Sequence, residues 1–133
     1  MYTSGVSFVH ICNVQIKNVC SDCGPCANVR LLTKDGNKLH DITVDGVTDA
    51  RTCTAYRAGA TVRIGDPNYG KAADSAGDTY NITVRNVDSK ANSAVLVCGP
   101  IKNSVIEGIK GSSTTQLFAV REHALFDNVR VAF

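Results

Sequence analysis

One seven-residue phrase recurs along the chain, and it constrains the fold more than any other feature. It reads Asn81-Ile82-Thr83-Val84-Arg85-Asn86-Val87. It returns as Asn13-Val14-Gln15-Ile16-Lys17-Asn18-Val19, as Asp41-Ile42-Thr43-Val44-Asp45-Gly46-Val47 and as Asn103-Ser104-Val105-Ile106-Glu107-Gly108-Ile109. A shorter copy runs Asn128-Val129-Arg130-Val131-Ala132-Phe133. Apolar and polar residues alternate within each copy, the pattern of a strand with one buried face. The sixth place holds Asn18, Gly46, Asn86 or Gly108, residue types that tolerate the left-handed backbone region and bend the chain after a strand. Asn or Asp at the first place suits a bend before the strand.

The copies start at 13, 41, 81, 103 and 128, at intervals of 28, 40, 22 and 25 residues. A shortest interval near 22, with the longer ones as insertions, is the signature of a solenoid. One such strand cannot bury its apolar face alone, but stacked copies can. A second strand signal recurs between the copies, at Asn28–Leu32, Ala60–Ile64, Ala94–Val97 and Gln116–Val120. A constant order of short strands in each repeat predicts parallel stacking.

On these repeats the chain resembles the right-handed parallel β-helix proteins of the pectin-lyase-like group. That group includes polysaccharide lyases, polygalacturonase-like glycoside hydrolases and phage tailspikes. The resemblance covers nearly the whole chain and lies in the repeat rather than in active-site motifs. The expected fold is all-β, a right-handed parallel β-helix of about five rungs, with residues 1–133 forming one domain. The rival is a β-sandwich of about seven strands. It ranks second because sandwich strands share no common phrase and no Asn-Gly hairpin dipeptide occurs.

Composition narrows the function. Apolar residues at 44% with 20% charged residues fit a globular chain rather than a disordered one. The net charge of +2 is close to neutral, and no Lys/Arg cluster is interleaved with aromatics, so no nucleic-acid partner is expected. No apolar run reaches membrane-spanning length. Residues 1–12 lack a basic stretch followed by a long apolar run, so no signal peptide is expected. An extracellular or cell-surface location is implied by the resemblance alone. About five rungs is short for an enzyme of that group, and the last strand reaches Phe133 without a polar cap. The chain therefore reads as part of a longer β-helix or as a unit that stacks on another copy.

The sharpest local feature is Cys20-Ser21-Asp22-Cys23-Gly24-Pro25-Cys26, with Cys12 upstream. Thiolates at this spacing bind zinc when a fourth ligand joins, so Cys12, Cys20, Cys23 and Cys26 form a candidate zinc set, with His10 as a substitute for Cys12. A disulfide or plain thiols fit the same turn, and an iron–sulfur pattern lacks its partnered cysteine. Cys53 and Cys98 lie beside strands and read as small buried apolar residues. Asp66, Asp74 and Asp78 fall in one long segment with Tyr69 and Lys71. Calcium is a candidate there by analogy with lyases of the resembled group, against a plain solvated loop, since the spacing is not that of a calcium loop. The polygalacturonase-like motifs are Asn-Thr-Asp, Asp-Asp, Gly-His-Gly and Arg-Ile-Lys, and only Arg63-Ile64 echoes one of them. His10, His40 and His123 stand in no recognised catalytic arrangement.

The expected function is a carbohydrate-associated β-helix domain with a polysaccharide or oligosaccharide partner. Its activity, if any, would be that of a lyase or glycoside hydrolase on a uronate-containing glycan. Candidate sugar contacts are Arg63, Asp66, Tyr69 and Lys71, where a long segment leaves a strand end. The alternative is a non-catalytic, tailspike- or stalk-like module that oligomerises end to end. The fifth residues of the phrases, Lys17, Asp45, Arg85 and Glu107, alternate in sign and predict a charge ladder on the outer face.

Overall fold

The computed structural model describes residues 10–21, 27–33, 37–50, 59–65 and 78–133. Among them are nine strands: β1 (His10–Ser21), β2 (Val29–Leu31), β3 (Lys38–Asp49), β4 (Ala60–Ile64), β5 (Asp78–Ser89), β6 (Ser93–Val97), β7 (Ile101–Gly111), β8 (Gln116–Val120) and β9 (Phe126–Ala132). No helix occurs among the described residues. The odd-numbered strands form a five-stranded sheet in the order β1-β3-β5-β7-β9, and the even-numbered strands a four-stranded sheet in the order β2-β4-β6-β8. Every pairing is parallel. The chain alternates between the sheets, and each return lays a strand beside the one formed two elements earlier. A sandwich built from hairpins needs antiparallel neighbours, so that rival is excluded.

Register follows the repeated phrase. Val14 lies opposite Ile42, and Ile42 opposite Ile82; Ile16, Val44, Val84 and Ile106 form the next column. Ile42, Val44, Ile82, Val84 and Ile106 are at most 1% exposed. Val29, Leu31, Val62, Ile64, Val95 and Val97 from the four-stranded sheet close the same core from the other side. Shared burial between two sheets is what one strand alone could not provide.

The long strands extend beyond the phrase that marks them. Each of the four full phrases is the middle of a strand of 11 or 12 residues that carries two left-handed residues. The first-place residues Asn13, Asp41, Asn81, Asn103 and Asn128 have φ between 48° and 57°. The sixth-place residues Asn18, Gly46, Asn86 and Gly108 have φ between 54° and 81°. A left-handed residue breaks the two-residue side-chain period. Leu39 and Ile42 therefore both face the core although three positions separate them, and so do Val44 and Val47. Each long strand becomes three short walls bent around the core.

One polar residue enters an apolar column. Ser104 stacks with Val129 and is 3% exposed. Its hydroxyl donates to the Lys102 carbonyl at 2.7 Å and accepts the Ile82 amide N–H at 3.1 Å, so its burial leaves no orphaned group. A second set of hydroxyls lines the corner between the sheets. Thr61 and Ser89 meet at 2.6 Å, Ser89 accepts the Ala91 N–H at 3.1 Å, and Thr115 donates to the Ala91 carbonyl at 2.8 Å.

Candidate functional site

The outer face of the five-stranded sheet is built from columns of in-register side chains. Lys17 faces Asp45, Asp45 faces Arg85, and Arg85 faces Glu107, as the alternating signs predict. Arg85 Nε donates to Asp45 Oδ2 at 2.9 Å, and Asn86 Nδ2 donates to Asp45 Oδ1 at 2.7 Å. The Asn86 amide, with Arg85 and Lys17, holds the Asp45 carboxyl below its ordinary range. Glu107 is engaged on its other side by Arg130 Nη2 at 3.0 Å. The two carboxylates are therefore held by cations and an amide, an arrangement that fits a structural ladder and not a free acid–base pair.

This ladder should respond to charge and pH. Asp45→Lys sets like charges beside Lys17 and Arg85, and thermal melts should show a modest stability loss that grows at low salt. Adding Lys17→Glu and Arg85→Glu should recover most of it, since Glu107 already has Arg130. A silent single change with an equally silent triple change would dismiss the ladder. Because folding lowers the Asp45 pKa, its contribution is complete above the ordinary value of 3.8 and fades as pH drops below that towards the folded value. Asp45→Asn should flatten that part of the acid melt.

The next outward column reads Cys20, Thr48, Asp88 and Lys110. Between it and the ladder run Asn18, Gly46, Asn86 and Gly108. A methyl group at Gly108 would lie 3.3 Å from both the Asn86 Oδ1 and the Asn86 amide nitrogen. A surface notch of about 170 Å³ beside it is lined by Asn86, Val87, Asp88, Gly108 and Lys110. Asp88 and Lys110 stand in register within it, so one small site offers a carboxylate, an ammonium and an amide. Such a set suits a polyhydroxylated ligand that carries a carboxylate.

A further outer column contains Cys12, His40, Tyr80, Lys102 and Asp127. The rings of His40 and Tyr80 stack with centroids 4.7 Å apart and planes 1° from parallel. His40 Nδ1 lies 2.6 Å from Asp41 Oδ2, and Asn81 Nδ2 donates to Asp41 Oδ1 at 3.0 Å. The His40 hydrogen bond and then that of Asn81 hold the Asp41 carboxyl below its ordinary range.

The residues singled out from the sequence are dispersed. Arg63 lies on β4, in register with Arg30 and Leu96, in the four-stranded sheet. Asp66, Tyr69 and Lys71 lie outside the described residues, as do Cys23, Cys26, Cys53 and Asp74. Asp78 is not in a loop but opens β5, with Lys102 Nζ 3.9 Å from its carboxylate. Cys12 and Cys20 are exposed free thiols on β1, separated by the bends at Asn13 and Asn18, and they face His40 and Thr48 respectively. Among the described residues, no group of three or more His, Cys, Asp or Glu side chains is placed to hold a metal ion. Cys98 is a buried thiol at 1% exposure, as its position beside a strand suggests. Asp88, Lys110 and Tyr80 carry no site motif in the sequence, where Asn86 reads as a bend residue and His40 as a histidine outside any catalytic arrangement. The signal that marks Asp88 and Lys110 is the outward place following each phrase, which reads Cys, Thr, Asp, Lys down the stack.

No family model, curated protein or solved structure matches the chain.

Proposed function

We propose that the parallel two-sheet stack is a right-handed β-helix of the pectin-lyase-like kind, and that it is a non-catalytic carbohydrate-binding domain. The observation that carries the binding role is the notch at Gly108, which Asp88, Lys110 and Asn86 line together with Val87. Lys110 would take the carboxylate of a uronate residue, and Asp88 would accept hydrogen bonds from ring hydroxyls. Binding without cleavage is supported by the engagement of Asp45 and Glu107 with Arg85 and Arg130.

The test is affinity electrophoresis of the protein through gels containing a polyuronate or a neutral glucan. Retardation by the polyuronate that is lost in Lys110→Gln and reduced in Asp88→Asn is the expected result. Retention of binding in both variants, with loss in Tyr69→Ala, would move the contact to the segment after Arg63. Shortened polyuronate after incubation would overturn the non-catalytic reading.

A second reading, end-to-end assembly, has its own observation. At the β9 end of the stack, Val120, Leu125, Phe126 and Phe133 are 45% to 70% exposed. A second copy fits this end, because the β1 phrase would set Asn13 over Asn128, Val14 over Val129 and Ile16 over Val131. Sedimentation should then show concentration-dependent growth that Leu125→Glu abolishes; a monomer at every concentration excludes it.

A further inference from the structure

The five-stranded sheet has two unlike edges, β1 beside β3 at one and β9 beside β7 at the other. A second copy set on β9 by its β1, in the parallel sense of every internal pairing, continues the columns one by one. The bend at Asn13 falls on the bend at Asn128, a φ of 57° on one of 53°. Ile11 falls on Phe126, which is 45% exposed. Cys12 falls on Asp127, Gln15 on Arg130 and Lys17 on Ala132, so no like charges meet in these columns. Asn81 Nδ2 donates to Asp41 Oδ1 and Asn128 Nδ2 to Asn103 Oδ1, each bond pointing back along the stack. Asn13 repeats that bond to Asn128 across the joint. Unlike edges meet along the stack axis, so the joint leaves both outer ends open to further copies.

Each copy carries the notch between Asp88 on β5 and Lys110 on β7. Neighbouring strands lie about 4.8 Å apart, so stacked five-stranded copies repeat the notch about every 24 Å along one wall. We propose that this row of notches is the binding surface, and that its ligand is an extended acidic polysaccharide that reaches from one notch to the next. The inference rests on both readings above, the notch as the uronate site and the end-to-end joint. A polymer held at one notch by Lys110 meets the next notch intramolecularly, at an effective concentration set by its own reach and stiffness. A short oligouronate fills one notch and gains nothing from its neighbour. Ligand length is thereby read by the spacing of the copies and not by any single residue of the site.

The experiment compares a galacturonate trimer with polygalacturonate, at protein concentrations where sedimentation shows assemblies. Per trimer unit, the wild-type chain should bind the polymer about 100-fold or more tighter than the trimer. Leu125→Glu should keep the trimer affinity, which also reports its folding, and lose the preference for the polymer. Dilution of the wild-type chain below its assembly range should do the same without any substitution. Lys110→Gln should still assemble and bind neither ligand. Equal affinity for both ligands in an assembled wild-type chain overturns the row of notches alone. So does a preference that survives Leu125→Glu or dilution, since one copy then holds the polymer by itself. A chain that stays monomeric at every concentration removes the inference through the joint, and assemblies that ignore the trimer remove it through the notch.

Discussion

Ile82→Ala will destabilise the protein by about 2–5 kcal/mol, read as a lower urea midpoint with an unchanged slope. Ile82 has 0% exposure and sits in the middle strand of the five-stranded sheet. Ile42 packs on one side of it in register, and on the other the Ser104 hydroxyl holds its amide. A cavity there cannot be closed by one neighbour moving, because both adjoining strands are tied by backbone ladders and bend at their own left-handed residues, Asp41 and Gly46 on β3 and Asn103 and Gly108 on β7. The outward Thr83→Ala in the same strand should cost far less. If both variants lose the same small amount, the inner column is not a packed core and the assignment of faces is wrong.

The second large effect separates two stacked glycines. Gly65 follows β4 with φ of +80°, and a methyl group on it would lie 2.8 Å from the Gly99 amide nitrogen and 3.1 Å from the Cys98 carbonyl carbon. Both contacts are backbone atoms of the next layer, tied down by the bond from the Cys98 N–H to the Ile64 carbonyl at 2.7 Å. Gly65→Ala combines a left-handed L-residue, about 1–2 kcal/mol, with an overpacked contact, about 1–3 kcal/mol. Its partner behaves differently. A methyl group on Gly99 meets nothing closer than the Gly65 Cα, at 3.9 Å, so Gly99→Ala should be tolerated. Urea melts of the two variants decide the matter; equal losses would mean that the layers do not stack at this corner.

The repeated phrase made the register legible, because Val14, Ile42 and Ile82 occupy the same place in copies of one sequence. It did not reveal how long the strands are. A left-handed Asp41 or Asn81 inside a strand shifts the parity of the apolar pattern, so the phrase alone does not show that Lys38–His40 and Asp78–Tyr80 continue the strand on its other side. For the same reason Asp78 looked like part of an acidic loop. The notch was not legible at all. It lies between groups on neighbouring strands whose partners are 22 residues apart, as Asp88 and Lys110 are. Cys12 and His40 are likewise separated by 28 residues and meet only through strand register.

The uneven intervals between rungs also impose an order on how the chain can fold. In the five-stranded sheet, partners are separated by 28, 40, 22 and 25 residues from the first pair to the last. No pairing is local, so each rung costs loop-closure entropy before its contacts reward it, and folding should be slow for a chain of this size. Closing 40 residues costs about 0.5 kcal/mol more than closing 22. The difference favours β5 with β7 as the nucleus, then β9, with β3 and β1 joining across the longest gap. Pulse-labelled hydrogen exchange during refolding should therefore protect amides between β5 and β7 before those between β1 and β3; protection in the reverse sequence would show that connection length does not govern the order of assembly.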